Sequence, residues 1–477
     1  MRHLKFITLL RTLGKDEVDS FWKYLKKEHA NERIALSLFA YIKKFHPEYR
    51  DEKRLEMAYA YRKVFRAEIG KNRKQVLNAL SDLYGWLKSF LLSEKATKGV
   101  FESQLLWLAF LQEKGLQVEF PRYASRFQRE LKSVSKKNAL DYLKEVAVNH
   151  FIQFHLALGN FPPEGNDGAD LDLFYALAKL KSACEKANFI NVQSLETEPE
   201  PLPEHLEVFL RQIQHEEPLL LLYMEVYQLL VVHHNASFDK LETMLPKFVD
   251  EIAPAELNLI LRYLHNYATS QIRKGKVEFW KRTHQLNKFS LEHRIFAHEG
   301  TMSGAQFNNI VSAACSAKEI SWAQSFVKAQ SKLLSKDLRD DAVLLANATI
   351  LFEKNEFKKV LEILREENFR DIFDNVRSRA LQMRSYYEIW VKEKTAAIWD
   401  FHLNFESYLR RHRTPKKEAI EATLKFIQIL KMLFSQKASR DDIQQVIQTT
   451  DVLYFKTWLL DKLADYKAEF AAPKRKK

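Results

Sequence analysis

The sequence predicts an all-α protein, and three observations carry this prediction. The 477 residues include only 11 glycines and 12 prolines, against about 33 and 24 at average usage. Apolar residues recur at steps of three and four along most of the chain. Pairs of such segments then follow one another at a nearly constant spacing. Because glycine and proline supply tight turns, their scarcity favours long helices with short connections.

The first 95 residues predict a compact helical bundle. The segment 31–45 has one apolar stripe, and Pro47 predicts the end of that helix. The segment 75–92 has a second stripe at three- and four-residue steps, formed by Val76, Leu80, Leu83, Leu87 and Leu91. Hydrophobic residues make up 46% of the chain, enough for a large core. The length fits either two to four structural units or one long solenoid.

After residue 205 the sequence predicts a repeat of two helices. At each of five junctions a polar or small turn is followed by one apolar residue, and by another about three residues later. These pairs are Phe238 and Leu241, Val277 and Trp280, Ile320 and Ala323, Phe357 and Val360, and Ala396 or Ala397 with Ile398. The second members are spaced by 39, 43, 37 and 38 residues. Such a period is typical of solenoids, in which each unit packs on its neighbours.

Six segments follow from these patterns. They are a basic N-terminal helical bundle (1–95), helical hairpins that continue the array (96–190), a Pro/Glu-rich linker or long loop (191–205), helical repeats (206–435), C-terminal capping helices (436–470) and a basic tail (471–477). The linker contains three alternating prolines, which favour an extended and stiff conformation. A hinge and a long loop between packed helices both fit this composition.

The junctions resemble the tetratricopeptide repeat, a hairpin of two antiparallel helices. The matching residues are Ala268, Gly275, Val277 and Trp280 in one copy, Ala348, Asn355, Phe357 and Val360 in another, and Val311, Ile320 and Ala323 in a third. The chain departs from the family in its longer period and in the bulk of Trp280, Val360 and Ile398. It also resembles bacterial helical-repeat proteins with a similar amphipathic N-terminal block. The resemblance implies a right-handed α-solenoid over 206–435, behind the N-terminal bundle.

A solenoid of this kind implies a concave surface lined by the first helix of each hairpin. Polar residues at helical steps on two such helices are therefore the candidate partner-binding residues: Asn258, Arg262, Asn266, Arg273, Arg377, Arg384 and Glu388. Grooves lined by Asn and Arg can hold peptide backbones or carboxylates. A polar outer face is the alternative for each of these residues.

Charge is distributed unevenly within the net charge of +13. Residues 1–150 contain 30 basic and 18 acidic side chains, residues 151–400 contain 29 and 35, and residues 401–477 contain 16 and 9. A basic N-terminal third could dock on nucleic acid or on an acidic protein. A solvated face of lysines interspersed with acids is the alternative, and no nucleic-acid-binding motif accompanies these residues.

The sequence contains no recognisable catalytic, metal-binding or nucleotide-binding motif. Phosphate-binding loops, nucleophile elbows and zinc-protease motifs do not occur in it. The two cysteines, Cys184 and Cys315, each fall in an apolar helical pattern and are predicted to be buried thiols in a reducing compartment. The most apolar run, 218–232, is shorter than a membrane span and contains Glu225. We expect no cofactor, no metal ion, no membrane insertion and a cytoplasmic location.

These expectations combine into a non-enzymatic interaction scaffold or adaptor that holds a protein or peptide in a helical-repeat groove. A protein that binds nucleic acid through its basic N-terminal block is the alternative hypothesis. An enzyme built on a helical fold is a third, and no motif supports it.

Overall fold

A computed structural model describes residues 5–467 apart from 48, 50–52, 68–72, 98–100, 115, 117, 154–168, 194–196, 213–216, 296–301, 366–368, 412–416 and 451. The predicted basic tail at 471–477 lies outside the described residues. Twenty-three α-helices and no β-strand occur in the part of the chain that the structure describes, which confirms the all-α prediction. The chain divides into two compact units. Unit 1 comprises residues 1–133 and 144–166, and unit 2 comprises residues 134–143 and 167–477.

Unit 1 contains the helices of the N-terminal third. They are α1 (Lys5–Leu10), α2 (Lys15–Glu28), α3 (Arg33–Ile42), α4 (Met57–Phe65), α5 (Arg73–Thr97), α6 (Phe101–Glu113), α7 (Glu119–Lys132) and most of α8 (Ala139–Gln153). The first residues of α8 belong to unit 2.

The core of unit 1 forms around α5, on which α1, α2 and α3 pack. The predicted stripe is confirmed at Val76, Leu80, Leu83 and Leu87, which are all buried. Aromatic rings fill the space beside this stripe, and the ring centroids of Phe21 lie 5.2 Å from Phe39 and 5.6 Å from Phe90. Apolar burial of this extent drives the packing of these short helices, which would be marginal in isolation.

Unit 2 contains a longer series of helices. They are α9 (Ala169–Gln193), α10 (Glu204–Gln212), α11 (Pro218–Leu230), α12 (Ala236–Phe248), α13 (Pro254–Arg273), α14 (Glu278–Glu292), α15 (Gly304–Ser316), α16 (Ile320–Gln330), α17 (Lys336–Glu353), α18 (Phe357–Leu364), α19 (Ile372–Glu393), α20 (Ala397–Arg411), α21 (Lys417–Ser435), α22 (Arg440–Thr449) and α23 (Lys456–Ala464).

Most helices of unit 2 pack as hairpins. The hairpins are α11 with α12, α13 with α14, α15 with α16, α17 with α18, α19 with α20, and α21 with α22. First helices also pack on first helices of neighbouring hairpins, in the pairs α11–α13, α15–α17, α17–α19 and α19–α21. This arrangement is consistent with a helical-repeat fold.

The turn within each hairpin places one residue in the left-handed backbone region. These residues are His233, Gly275, Lys318, Asn355, Lys394 and Gln436, with positive φ at all six positions. At three of the turns, the next residue donates its N–H to the carbonyl five positions earlier. These bonds join Lys276 to Gln271 (3.1 Å), Glu319 to Ala314 (2.9 Å) and Glu356 to Leu351 (3.0 Å). The same helix-ending geometry therefore recurs along the unit.

The junction at Asn355 matches its prediction closely. The first helix ends at Glu353, Asn355 occupies the turn with φ of 61°, and the second helix begins at Phe357. Phe357 and Val360 are both buried, so they make the predicted contacts between helices.

The junction at Gly275 differs from its prediction. Val277 is 60% exposed, whereas Phe279 is buried, so Val277 is not an anchor of this hairpin. Phe279 contacts Phe238 edge to face, with ring centroids 5.4 Å apart. The Arg282 guanidinium covers both rings, at 4.2 and 5.0 Å from their centroids, and pairs with Glu242 at 2.6 Å. Phe279 therefore supplies the buried aromatic contact of this hairpin, and Arg282 stacks on its ring.

The proline-rich segment joins helices that share one core. α9 extends to Gln193 and packs on α11 and α13, across the predicted linker. Leu202, between the prolines, is buried, and its N–H donates to the Tyr227 hydroxyl at 2.9 Å. Residues on both sides of this segment therefore belong to unit 2.

A buried carboxylate connects four helices at the start of unit 2. Glu256, in the first turn of α13, accepts hydrogen bonds from Lys181 Nζ of α9 (2.5 Å) and the Tyr223 hydroxyl of α11 (2.6 Å). It also accepts from the Ala139 N–H at the start of α8 (3.3 Å). Burial, followed by the charge of Glu256, raises the pKa of Tyr223, so the hydroxyl stays a donor. The full set of partners offsets the cost of burying the charge.

We expect Glu256→Ala to lower the free energy of unfolding by about 3 kcal/mol, because it leaves Lys181 and the Tyr223 hydroxyl without their common acceptor. Urea unfolding of the full chain measures this loss. Glu200→Ala is the matched control, since Glu200 pairs with Lys186 at an exposed site of the same unit. We expect no measurable change for this control. An equal effect of both substitutions would contradict the structural role of Glu256.

Candidate binding groove

Unit 2 contains an elongated groove with a volume of about 1580 Å³. Its walls come from the first helices α13, α15, α17 and α19, with contributions from α14 and α21. One end is lined by residues 453–462, which include the start of α23. First helices supply most of the lining, and the second helix α14 adds Trp280, Thr283, Asn287 and Ser290.

All seven candidate residues line this groove. Neighbouring side chains hold four of them: Arg262 pairs with Glu185 (2.8 Å), Asn266 donates to Asn188 (2.8 Å), Arg377 donates to Asn309 (2.9 Å), and Glu388 accepts from Lys462 (2.6 Å). The other three, Asn258, Arg273 and Arg384, form no hydrogen bond or ion pair with the described residues. Whether any of the seven contacts a partner stays a prediction.

Charge is segregated along the groove. The part lined by α13, α14 and α15 contains Arg262 and Arg273 and no carboxylate among its lining residues. All lining carboxylates come from α17 onward: Asp341, Glu353, Asp371, Asp374, Glu388 and Asp461. A bound chain would therefore meet a neutral to cationic surface at one end and mixed charge at the other.

The part of the groove wall formed by α14 and α15 contains buried polar groups without hydrogen-bond partners among the described residues. The side-chain amide of Asn308 is buried, and neither its nitrogen nor its oxygen has a hydrogen-bond partner among the described residues. The buried hydroxyl oxygen of Thr283 is likewise without a partner. Unpaired buried polar groups cost free energy, so this part of the wall is less stable than an apolar wall would be.

Residues of α23 contribute to the groove lining next to α19. Glu388 on α19 accepts from the Trp458 Nε1 at 3.1 Å as well as from Lys462. The Trp458 ring also lies edge to face with Tyr387, with centroids 5.5 Å apart. The helix α23 therefore packs on α19, within the lining of the groove, and Glu388 fixes its position there.

Arg384 of α19 also lines the groove, beside these residues. Its guanidinium carbon is 4.1 Å from the ring centroid of Phe352, 4.6 Å from that of Phe455 and 5.1 Å from that of Trp458. Burial lowers the pKa of Arg384 to about 10, although Glu353 and Glu388 act in the opposite direction. The side chain remains a cation at neutral pH.

Sequence reasoning missed His265, Asn308 and Trp458, which also line the groove. His265 lies three residues after Arg262 on the same helix, so the spacing of the predicted residues offered a signal for it, whereas no candidate was placed on α15, the helix of Asn308. Trp458 comes from the last helix of the described chain, and no local pattern predicts its contact with α19.

Both cysteines are buried and free, as predicted. Burial raises the pKa of Cys315 to about 12 and raises that of Cys184 further, so neither thiol is readily ionised. Within the described residues, no group of three or more His, Cys, Asp or Glu side chains could hold a metal ion. None of the described helices is both long and apolar enough to cross a membrane.

Comparisons with known proteins give no relative for this chain: no family model, no curated protein and no solved structure matches it.

We expect unit 2 to lose stability on acidification, in part through His265. Burial lowers the pKa of His265 from 6.5 to about 4. The unfolded chain therefore binds this proton near pH 6.5 and the folded chain only near pH 4, so stability falls as the pH drops through this window. We expect His265→Gln to reduce the loss of unfolding free energy between pH 7 and pH 4.5 by about 2 kcal/mol.

Urea unfolding of both proteins at each pH measures this difference. Part of the acid sensitivity remains in the variant, because burial also lowers the pKa values of His284 and His402. Parallel pH profiles for the wild type and the variant would show that His265 titrates normally in the folded chain.

Proposed function

We propose that this chain is a non-enzymatic protein–protein interaction scaffold or adaptor, whose partner segment occupies the groove of unit 2. In this proposal the hairpins of unit 2 form a right-handed, tetratricopeptide-like α-solenoid. One observation carries the proposal: a groove of about 1580 Å³ is lined along its length by the first helices of successive hairpins. Its elongated form fits a linear chain better than a compact ligand.

Three groove residues support this assignment in particular. Asn258, Arg273 and Arg384 line the groove and form no hydrogen bond or ion pair with described residues. Amide and guanidinium groups bind main-chain carbonyls and carboxylates, which a peptide offers along its whole length. We also propose a cytoplasmic location, supported by two buried free thiols of the kind common in reducing compartments.

Photocrosslinking tests the groove directly. We expect a benzoylphenylalanine residue in place of Asn258 to form a covalent adduct with one defined protein in extract of the native cells. The same residue in place of Val446, which is exposed on α22 outside the groove lining, is the control and should give no such adduct. Adducts are identified by mass spectrometry.

A groove variant completes this experiment. Arg273→Glu should strongly reduce the adduct formed from position 258, since it places a negative charge on the cationic part of the wall. A pattern of adducts shared by both crosslinking positions, or no adduct at all, would contradict the proposed function. Substitutions are preferable to removal of residues 1–205, because that deletion would take α9 out of the core of unit 2.

A basic face on α7 favours nucleic-acid binding as a second candidate function. Arg122, Arg126, Arg129 and Lys132 are exposed along this helix, while Phe120, Ala124 and Phe127 face the core. Basic side chains aligned on one helix face neutralise phosphates and make binding depend on salt.

We expect Arg122→Glu, Arg129→Glu and Lys132→Glu together to weaken the binding of fluorescein-labelled oligo-U RNA by about tenfold or more at low salt, as measured by anisotropy. The matched control replaces three exposed lysines of unit 2, Lys276, Lys281 and Lys288, by Glu. An equal loss in the control would mean that only net charge matters. Wild-type protein that shows no binding at 50 mM salt would exclude this function.

A further inference from the structure

We propose that Arg384 is an anchoring site for a carboxylate of the segment that occupies the groove. The proposal deepens the proposed function and rests on it, because it names the chemical group that one position of the groove recognises. The site consists of the Arg384 guanidinium and the three rings that surround it, Phe352, Phe455 and Trp458.

The rings hold the guanidinium in one place. They come from α17 (Phe352), from the residue before α23 (Phe455) and from α23 itself (Trp458). Stacking uses the faces of the planar group and leaves its edge for hydrogen bonds. A guanidinium edge donates two parallel hydrogen bonds to a carboxylate, which is the geometry of the strongest such pairs. The site is thus pre-organised, since little side-chain freedom remains to be lost on binding.

The guanidinium has no acceptor in the described part of the chain. The Nε atom is buried without a hydrogen-bond partner, and Arg384 forms no ion pair with a described residue. The two carboxylates that act on it electrostatically are already paired: Glu353 with Lys318 at 3.2 Å and Glu388 with Lys462 at 2.6 Å. One positive charge therefore remains without a counter-ion at this point of the groove lining.

The local charge favours a carboxylate over a phosphate. Burial destabilises the unpaired cation, and an arriving anion removes that cost. The guanidinium carries one positive charge, which a singly charged carboxylate balances, whereas a dianionic phosphate would leave an excess negative charge in a lining that already contains Glu353 and Glu388. An aspartate or glutamate side chain, or a chain terminus, supplies the required group.

A purely structural role for Arg384 is the alternative, and the chain offers a matched control for it. Arg379 lies on the same helix, and its guanidinium carbon is 4.2 Å from the ring centroid of Tyr408. Its Nε atom is also buried without a hydrogen-bond partner. Arg379 is not part of the groove lining. Both arginines stack on rings, and only Arg384 faces the groove.

The test uses acetate as the probe and thermal unfolding of the full chain as the readout. Acetate at about 100 mM, compared with chloride at equal ionic strength, should raise the Tm of the wild type by about 2 °C more than that of Arg384→Gln. Arg379→Gln should respond like the wild type. Inorganic phosphate at equal ionic strength forms the second arm. Arg384→Lys replaces Arg384→Gln in this test if the glutamine variant does not fold. It keeps the positive charge but lacks the planar edge, so its Tm should respond to acetate less than that of the wild type.

The outcomes separate the two roles of Arg384. An acetate response that is equal in the wild type and in both Arg384 variants would overturn the proposal and assign the residue to packing alone. A response to phosphate without one to acetate would also overturn it, because the site would then select phosphoryl groups. The acetate assay contains no partner protein and tests only the role of Arg384. The crosslinking experiment from position 258 tests the groove itself and does not depend on Arg384, so a negative acetate result would not contradict the proposed function.

Discussion

The buried Glu256 carboxylate is the interaction on which the start of unit 2 depends. It brings together side chains from α9 and α11 and the first N–H of α8, and it does so in the first turn of α13. A charge buried at this depth is stabilised only while its donors are in place, and the loss of one partner is costly. The position of α13, which forms one wall of the groove, is therefore set by a polar contact inside an apolar core.

The groove follows from the way the hairpins bury their apolar surface. Each second helix covers one side of its first helix, and the first helices of neighbouring hairpins cover the flanks. One side of each first helix then remains for solvent or for a partner. The seven candidates were predicted from their spacing on first helices, and all seven line this one groove.

Two arginines of unit 2 stack on aromatic rings and differ in their ion pairs. Arg282 stacks on Phe238 and Phe279 and is paired with a carboxylate, so its charge is satisfied within the unit. Arg384 also stacks on rings, although the carboxylates near it are paired with lysines. Stacking is compatible with both a structural and a binding role, and the free edge of the guanidinium distinguishes them.

The sequence by itself determined the helical class, the apolar stripes and the hairpin junctions such as that at Asn355, because these depend on local spacing and turn chemistry. It was wrong at Val277, which is 60% exposed, whereas Phe279 two residues later is buried. The tertiary structure decided which polar residues have partners, since Arg262 meets Glu185 from a helix far away in sequence. It also decided that α23 contacts α19 through Glu388, a contact between distant segments that no local pattern encodes.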